Sequence, residues 1–363
     1  MKLTRKRIAL IVVAALIVAL GADYVLYPRL ATVREPGEER RMVGIPMPAV
    51  WMRYWWFTGD RSSEELEAEL TKLWSHGIQQ HYFCVGQIGP DGQLERGHPN
   101  AARVIRELYE RQRHVDAADW IISPVAWVIV LNERAGGEVG IADPQVRATM
   151  VEEAVWLVEE AGFRGIQWDW EYAPGATDEL IALVRETKEA VGESIPVSVT
   201  TPPWMPWPLQ RWGWSEEDFT RIGAECDEIA VMCYDTGMYL PRAYVWLVRQ
   251  QVVHVAEGLA HAPGRCRFRV GVPTYGDEGS LPSHHAHAEN LRMALKGLRE
   301  GCVALEKRNQ GPAWQRVRSV GRGRLFGYFQ GPAIFANWTT EEDEWETWDE
   351  LWLEPMRWGN GDE

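Results

Sequence analysis

The residues of this chain best suited to chemistry are two carboxylates, Asp169 and Glu171, in the run Gly165-Ile166-Gln167-Trp168-Asp169-Trp170-Glu171-Tyr172. Side chains alternate across a strand, so Gln167, Asp169 and Glu171 share one face while Trp168, Trp170 and Tyr172 take the other. Burying two acids without a task is costly unless each is well paired, which weighs against a merely structural polar layer. Two carboxyl groups two residues apart on one face can share a proton, and that raises the apparent pKa of one of them. Glu171, nearer the end of the strand, is the expected general acid.

Such a strand needs a scaffold that presents its end. Strand-length apolar segments begin near Val50, Ile78, Ile121, Gly165, Ile195, Ile229, Phe268 and Arg324, each followed by a helical pattern. Eight βα units predict a closed (β/α)8 barrel, and the chain is long enough for the roughly 250 residues such a barrel takes. No Gly-rich phosphate turn follows the first strand, as a doubly wound sheet would carry. Helix starts are marked by Ser62 with Glu65, by Asp143 before Pro144, and by Ser215 ahead of three acids. Near the end, Trp345, Trp348 and Trp352 recur at helical spacing behind Thr340, predicting an amphipathic closing helix.

The 363 residues carry a net charge of -14, which argues against nucleic acid as a partner, since phosphate contacts need concentrated cations. Twenty tryptophans are far above ordinary usage, and flat indole faces suit stacking on sugar rings. Lys2, Arg5, Lys6 and Arg7 precede an apolar run from Ile8 to Ala22, the layout of a secretory signal or signal anchor. Val25, Leu26 and Tyr27 extend the run toward spanning length if Asp23 lies near an interface. Residues 1–29 are therefore expected to direct export, either cleaved or retained as a membrane anchor, which places the rest outside the cytoplasm. Residues 30–47 read as a tether, 48–357 as the barrel and 358–363 as a tail. The five cysteines have no metal-ligand spacing, although one or two disulfides are open to them after export. His284, His285 and His287 are read as exposed loop histidines, and no metal or cofactor is expected.

The segment from Phe163 to Tyr172 resembles the strand-four signature of glycoside hydrolase family 18, an aspartate-rich run ending in Asp-x-Glu. Met232-Cys233-Tyr234-Asp235 resembles that family's strand-six Met-x-Tyr-Asp, and Val270-Gly271-Val272-Pro273-Thr274-Tyr275-Gly276 its strand-seven Gly-x-Pro-x-Tyr-Gly. All three fall in the expected order. The resemblance implies hydrolysis of β-linked N-acetylhexosamine glycans, in which the substrate's acetamido oxygen serves as nucleophile. On that reading Glu171 is the acid and base, Asp169 orients the acetamido group, Tyr234 hydrogen-bonds its oxygen, and Asp235 positions the distorted sugar. Gln167, Met232 and Tyr275 would line the substrate site. Apart from the resemblance, Trp204 and Trp207 lie in the proline-rich loop after strand five, at the catalytic face of a barrel, where they either stack sugars or pack that loop on its own aromatics.

This chain also departs from the family pattern. Arg164 and Gln167 stand at the first two aspartate positions, and Gln167 cannot accept a proton from Asp169. Strand three, with Pro124 to Trp127, lacks the family's Ser-x-Gly-Gly, and Asp277 replaces an arginine. The family's strand-eight tryptophan has no clear equivalent, leaving Tyr328, Phe329 and Trp338 as candidates. The alternatives are a glycan-binding barrel with vestigial chemistry and a glycosidase with an ordinary carboxylate nucleophile.

Overall fold

The computed structural model describes residues 5–30, 48–58, 60–95, 103–112, 123–276, 283–309 and 325–354. Eight strands close a parallel barrel in sequence order, β1 pairing with both β2 and β8. They are β1 Ala49–Met52, β2 Gln80–Gln87, β3 Ser123–Leu131, β4 Ile166–Glu171, β5 Val197–Thr201, β6 Glu228–Met232, β7 Arg267–Pro273 and β8 Phe329–Phe335. The helices are α1 Arg5–Leu30, α2 Trp55–Thr58, α3 Ser63–Ser75, α4 Arg103–Gln112, α5 Pro144–Glu159, α6 Asp178–Val191, α7 Glu216–Ile222, α8 Pro241–His261, α9 Leu291–Asn309 and α10 Glu342–Trp348.

The local signals act as their chemistry dictates. Ser62 and Glu65 form a reciprocal capping box, as do Ser215 and Asp218, and Asp143 caps a helix with proline in its first turn. The closing helix forms, but its cap is Glu341, paired with Glu344; Thr340 instead bonds Ala336 and Thr274. Strand eight begins at Phe329, because Leu325–Tyr328 is a short 3-10 turn ahead of it. The tether from 31 to 47, the tail, Asp277 and Arg324 lie outside the described residues.

Two apolar layers hold the barrel. Outward strand side chains such as Val50, Phe83, Trp168, Val199 and Val270 pack under the helices. The interior is smaller and aromatic, with Trp51, Tyr82, Trp127, Tyr234 and Phe335 among alanines. Its lower end is closed by ions: Arg269 donates to Glu228 at 3.0 Å and to Gln80 at 2.8 Å, and Tyr82 donates to Glu228. A polar plug at one end leaves the other, at the strand C-termini, as the open mouth.

The cysteines of the described chain are all free and buried, and Cys226 Sγ lies 3.3 Å from Cys266 Sγ without a bond. The stretch Leu10–Arg29 of α1 is apolar and long enough to cross a membrane, a property that a signal sequence shares.

Candidate active site

Strand β4 delivers the expected triplet to the barrel interior in order of depth. Gln167 is deepest and fully buried: Trp51 Nε1 donates to its amide oxygen at 2.9 Å, and its amide nitrogen donates to Ser198 Oγ at 3.1 Å. Both ends of the amide are occupied, so Gln167 is a support beneath Asp169 and touches no cleft surface.

Asp169, one layer up, is 2% exposed. Trp127 Nε1 donates to its Oδ2 at 2.7 Å and Thr200 Oγ1 to its Oδ1. Burial raises its pKa, and these two donors pull the other way. No hydrogen bond joins Asp169 to Glu171 among the described residues; the Asp169 charge acts on Glu171 through the field and raises its pKa, the direction that the spacing predicts.

Glu171 reaches the floor of the cleft. Its pKa is pushed up to about 8, first by burial and then by the negative charges of Asp169 and Asp235. A carboxyl protonated near neutral pH can donate to a leaving oxygen and later take the proton back. The backbone here is clamped by Asn132, whose Nδ2 donates to the Tyr172 carbonyl while its Oδ1 accepts from the Tyr172 amide, both at 3.2 Å. The Asn132 amide also donates to the Glu171 carbonyl at 2.9 Å.

Strand β6 brings Met232, Tyr234 and Asp235 to the same cleft. The Tyr234 ring stacks on Phe335 with centroids 4.4 Å apart, and its hydroxyl has no hydrogen-bond partner among the described residues. Burial drives its pKa well up, so it stays a neutral donor. Gly271 makes room for it, since a Cβ there would come within 2.9 Å of Tyr234 Cε1.

Asp235 sits at φ +53, a left-handed conformation that Asp tolerates better than most residues. Tyr275 Oη donates to its Oδ1 at 2.8 Å. Burial raises the Asp235 pKa, against the Tyr275 hydrogen bond and the nearby His284.

His284 is a correction to the sequence reading: it is buried, not exposed. Its Nε2 donates to the Tyr275 carbonyl at 3.2 Å, and its Nδ1 lies 3.5 Å from both Asp235 and Glu289. Burial works against the charged imidazolium, but the hydrogen bond and charge of Glu289, with Asp235, outweigh it and raise the His284 pKa. Glu289, fully buried, accepts from the Thr236 and Met238 amides and the Thr236 hydroxyl. Ligand atoms of Asp235, His284 and Glu289 lie within 4.8 Å of one another, so this is also where a cation could be held.

The cleft above Glu171 has a volume of about 520 Å³ and is walled by Tyr172, Pro203, Arg211, Trp212, Met232 and Asp235, among others. A second hollow of about 410 Å³ adjoins it across Trp212, Tyr234, Asp235 and Ser283. Trp207 is 82% exposed at the tip of the loop after β5. Trp204 is not available as a sugar platform: it is 8% exposed, with its ring stacked on His254 at 3.9 Å. Tyr328 lies on the wrong side of β8, before the strand rather than at its mouth.

Sequence reasoning missed several supports. Trp51, Trp127, Ser198 and Thr200 come from strands one, three and five, and alternation in Val197-Ser198-Val199-Thr200 was the available signal for two of them. Phe335 was hidden by starting strand eight too early. It is the center of the aromatic floor, with Trp51, Trp127, Tyr234, Tyr275 and Trp338 around it.

A closed (β/α)8 barrel with a protonatable glutamate at its mouth, beside a buried aspartate and a free tyrosine hydroxyl, is the architecture of a barrel glycosidase. The chain matches the family described as glycosyl hydrolases family 18 over residues 136–351, more than half its length, and belongs to that family. No curated protein matches it. Among solved structures it is similar to the Bacillus cereus spore cortex-lytic enzyme SleL, at 12% identity and a TM-score of 0.55, covering 84% of this chain and 74% of that one. The Ostrinia furnacalis Group IV chitinase matches at 11% identity and a TM-score of 0.53, covering 86% and 100%. The C-terminal domain of a putative chitinase from Desulfitobacterium hafniense matches at 14% identity and a TM-score of 0.54, with the same coverage. At these identities the likeness is one of fold.

Proposed function

We propose that the protein is an exported hydrolase of β-linked N-acetylhexosamine glycans, working by substrate-assisted retention with Glu171 as general acid and base. The observation that carries this reading is the Glu171 carboxyl, held protonated to about 8 on the cleft floor. Glu171 gives its proton to the leaving glycosidic oxygen as the substrate's own acetamido oxygen closes on the anomeric carbon. It then takes a proton from the water that opens the resulting ring. The unpartnered Tyr234 hydroxyl is the donor for the acetamido oxygen, and Asp169 faces the nitrogen side of that group after exchanging one of its present partners. Asp235, fixed by Tyr275 and His284, receives a sugar hydroxyl.

The missing inner aspartates do not defeat this scheme. Thr200 and Trp127 supply Asp169 with two donors, so its charge is supported by neutral groups in place of an acidic neighbor. We also assign α1 to a membrane anchor rather than a cleaved signal. The test is release from N-acetylglucosamine oligomers and from cell-wall glycan by the full chain in detergent. Glu171→Gln should lower kcat about 10³-fold, the scale of a lost general acid. Binding of the oligomers without turnover by the wild type would replace this reading with a glycan-binding barrel.

A further inference from the structure

Helix α1 is not a free tail. Where its apolar run ends it docks on the barrel: Arg242 Nε and Nη2 grip the Asp23 carboxylate at 2.6–3.1 Å. The same guanidinium lies 4.2 Å from the center of the Tyr27 ring, which is 9% exposed. Tyr24 packs against His287 with the rings tilted and their centroids 4.0 Å apart, and His287 Nε2 donates to the Tyr24 carbonyl at 2.9 Å. Beyond this dock the helix touches little, and its large apolar residues from Leu10 to Leu20 are 45% to 75% exposed.

The position of the dock matters more than its existence. Arg242 is in the first turn of α8, just after the β6 loop, and His287 is in the loop between β7 and α9. Both loops lie at the strand C-termini, the end that carries the active site. Ser283 lines the cleft and Met238 the hollow that adjoins it, each four residues before a docking residue. From Leu20 to Asp23 a helix rises only about 4.5 Å. The catalytic rim is therefore held within a turn of the point where the apolar run stops.

We infer that α1 fixes the barrel with its catalytic mouth turned toward the bilayer, and that the substrate is a glycan tethered to a lipid of that membrane. The inference rests on α1 being embedded. Leu10–Arg29 is long enough to cross a bilayer, but its last turns are taken up by the dock at Asp23 and Tyr27; the apolar run ahead of it, Ile8 to Ala22, spans about 22 Å, short of a hydrocarbon core of about 30 Å. Such a mismatch draws the docked end onto the headgroups. The dock is furnished for that depth: Tyr24 of α1 and Tyr239 of the rim are exposed aromatics, each paired with a histidine, the Tyr239 and His285 ring centroids lying 3.6 Å apart.

The test uses the full chain in phosphatidylcholine and phosphatidylglycerol vesicles. The cysteines are all buried, so a thiol dye reports a single introduced site. Gln210→Cys labels the catalytic-end loop after β5, and Glu193→Cys the opposite end, between α6 and β5. With nitroxide headgroup lipids, the dye at 210 should lose its emission and the dye at 193 should keep it. Equal quenching, the reverse order, or a chain that does not float with the vesicles overturns the inference.

Arg242→Ala with His287→Ala should abolish the difference between the two dyes and leave turnover of free oligomers unchanged. The wild type should also favor an N-acetylglucosamine oligomer tethered to vesicle lipid over the same free oligomer by about tenfold, an effective-concentration gain the undocked variant loses. No preference overturns the substrate assignment. If neither oligomer is cleaved, the glycosidase reading fails, while the quenching comparison still decides the orientation.

Discussion

Glu171→Gln should trade activity for stability, and by an amount that depends on pH. The native state keeps a proton on Glu171 up to about 8, whereas the unfolded chain releases it near the ordinary glutamate value of 4.5. Between those two values the folded protein binds more protons than the unfolded one, so stability falls as pH rises, by about 1.4 kcal/mol per pH unit. The full window amounts to about 5 kcal/mol; water reaching the cleft screens the group, and a loss of about 2–5 kcal/mol is expected. Below 4.5 both states hold the proton and the loss vanishes, and above 8 it is constant. Glutamine has the same shape and no charge, so the variant escapes the loss. In detergent, thermal unfolding midpoints of wild type and Glu171→Gln should coincide near pH 4.5. Near pH 9 the variant should unfold several degrees higher, at about 2 °C per kcal/mol. A difference that is the same at both pH values would refute the claim that burial and the neighboring carboxylates hold Glu171 protonated.

Two further outcomes follow from the same geometry. Asp235→Asn removes one of the negative charges that raise Glu171, so the alkaline limb of kcat/KM should move to lower pH, read from initial rates on N-acetylglucosamine oligomers. Asn132→Ala frees the backbone at Tyr172 and leaves its polar groups unpaired, which should cost about 1–3 kcal/mol of stability and lower kcat more than it raises KM, measured by unfolding and steady-state kinetics.

The carboxylate pair was legible because a strand has a period of two, and the pattern of Gln167, Asp169 and Glu171 needs no other part of the chain to be seen. The barrel was legible for a similar reason, since each βα unit carries its own caps and apolar face. Strand eight was misplaced because Leu325-Phe326-Gly327-Tyr328 is as apolar as the strand it precedes, and only pairing with β7 sets where the ladder starts. His284 looked like a loop histidine because its partners, Asp235 and Glu289, act through the fold of two loops and not through spacing.

By itself, then, the sequence determined that eight βα units would form, that Asp169 and Glu171 would lie on one inward face, and that an apolar helix would lead the chain. These are properties of local periodicity and capping, which neighboring residues settle among themselves. The tertiary structure alone decided the rest: that Asp169 turns to Trp127 and Thr200, that Gln167 is used up by Trp51 and Ser198, and that Phe335 forms the floor. It also decided that Arg242 and His287 receive the anchor helix on the catalytic rim. Each joins residues from strands or loops far apart in the chain, brought together by closure of the barrel, and no pattern along the sequence encodes such a distance.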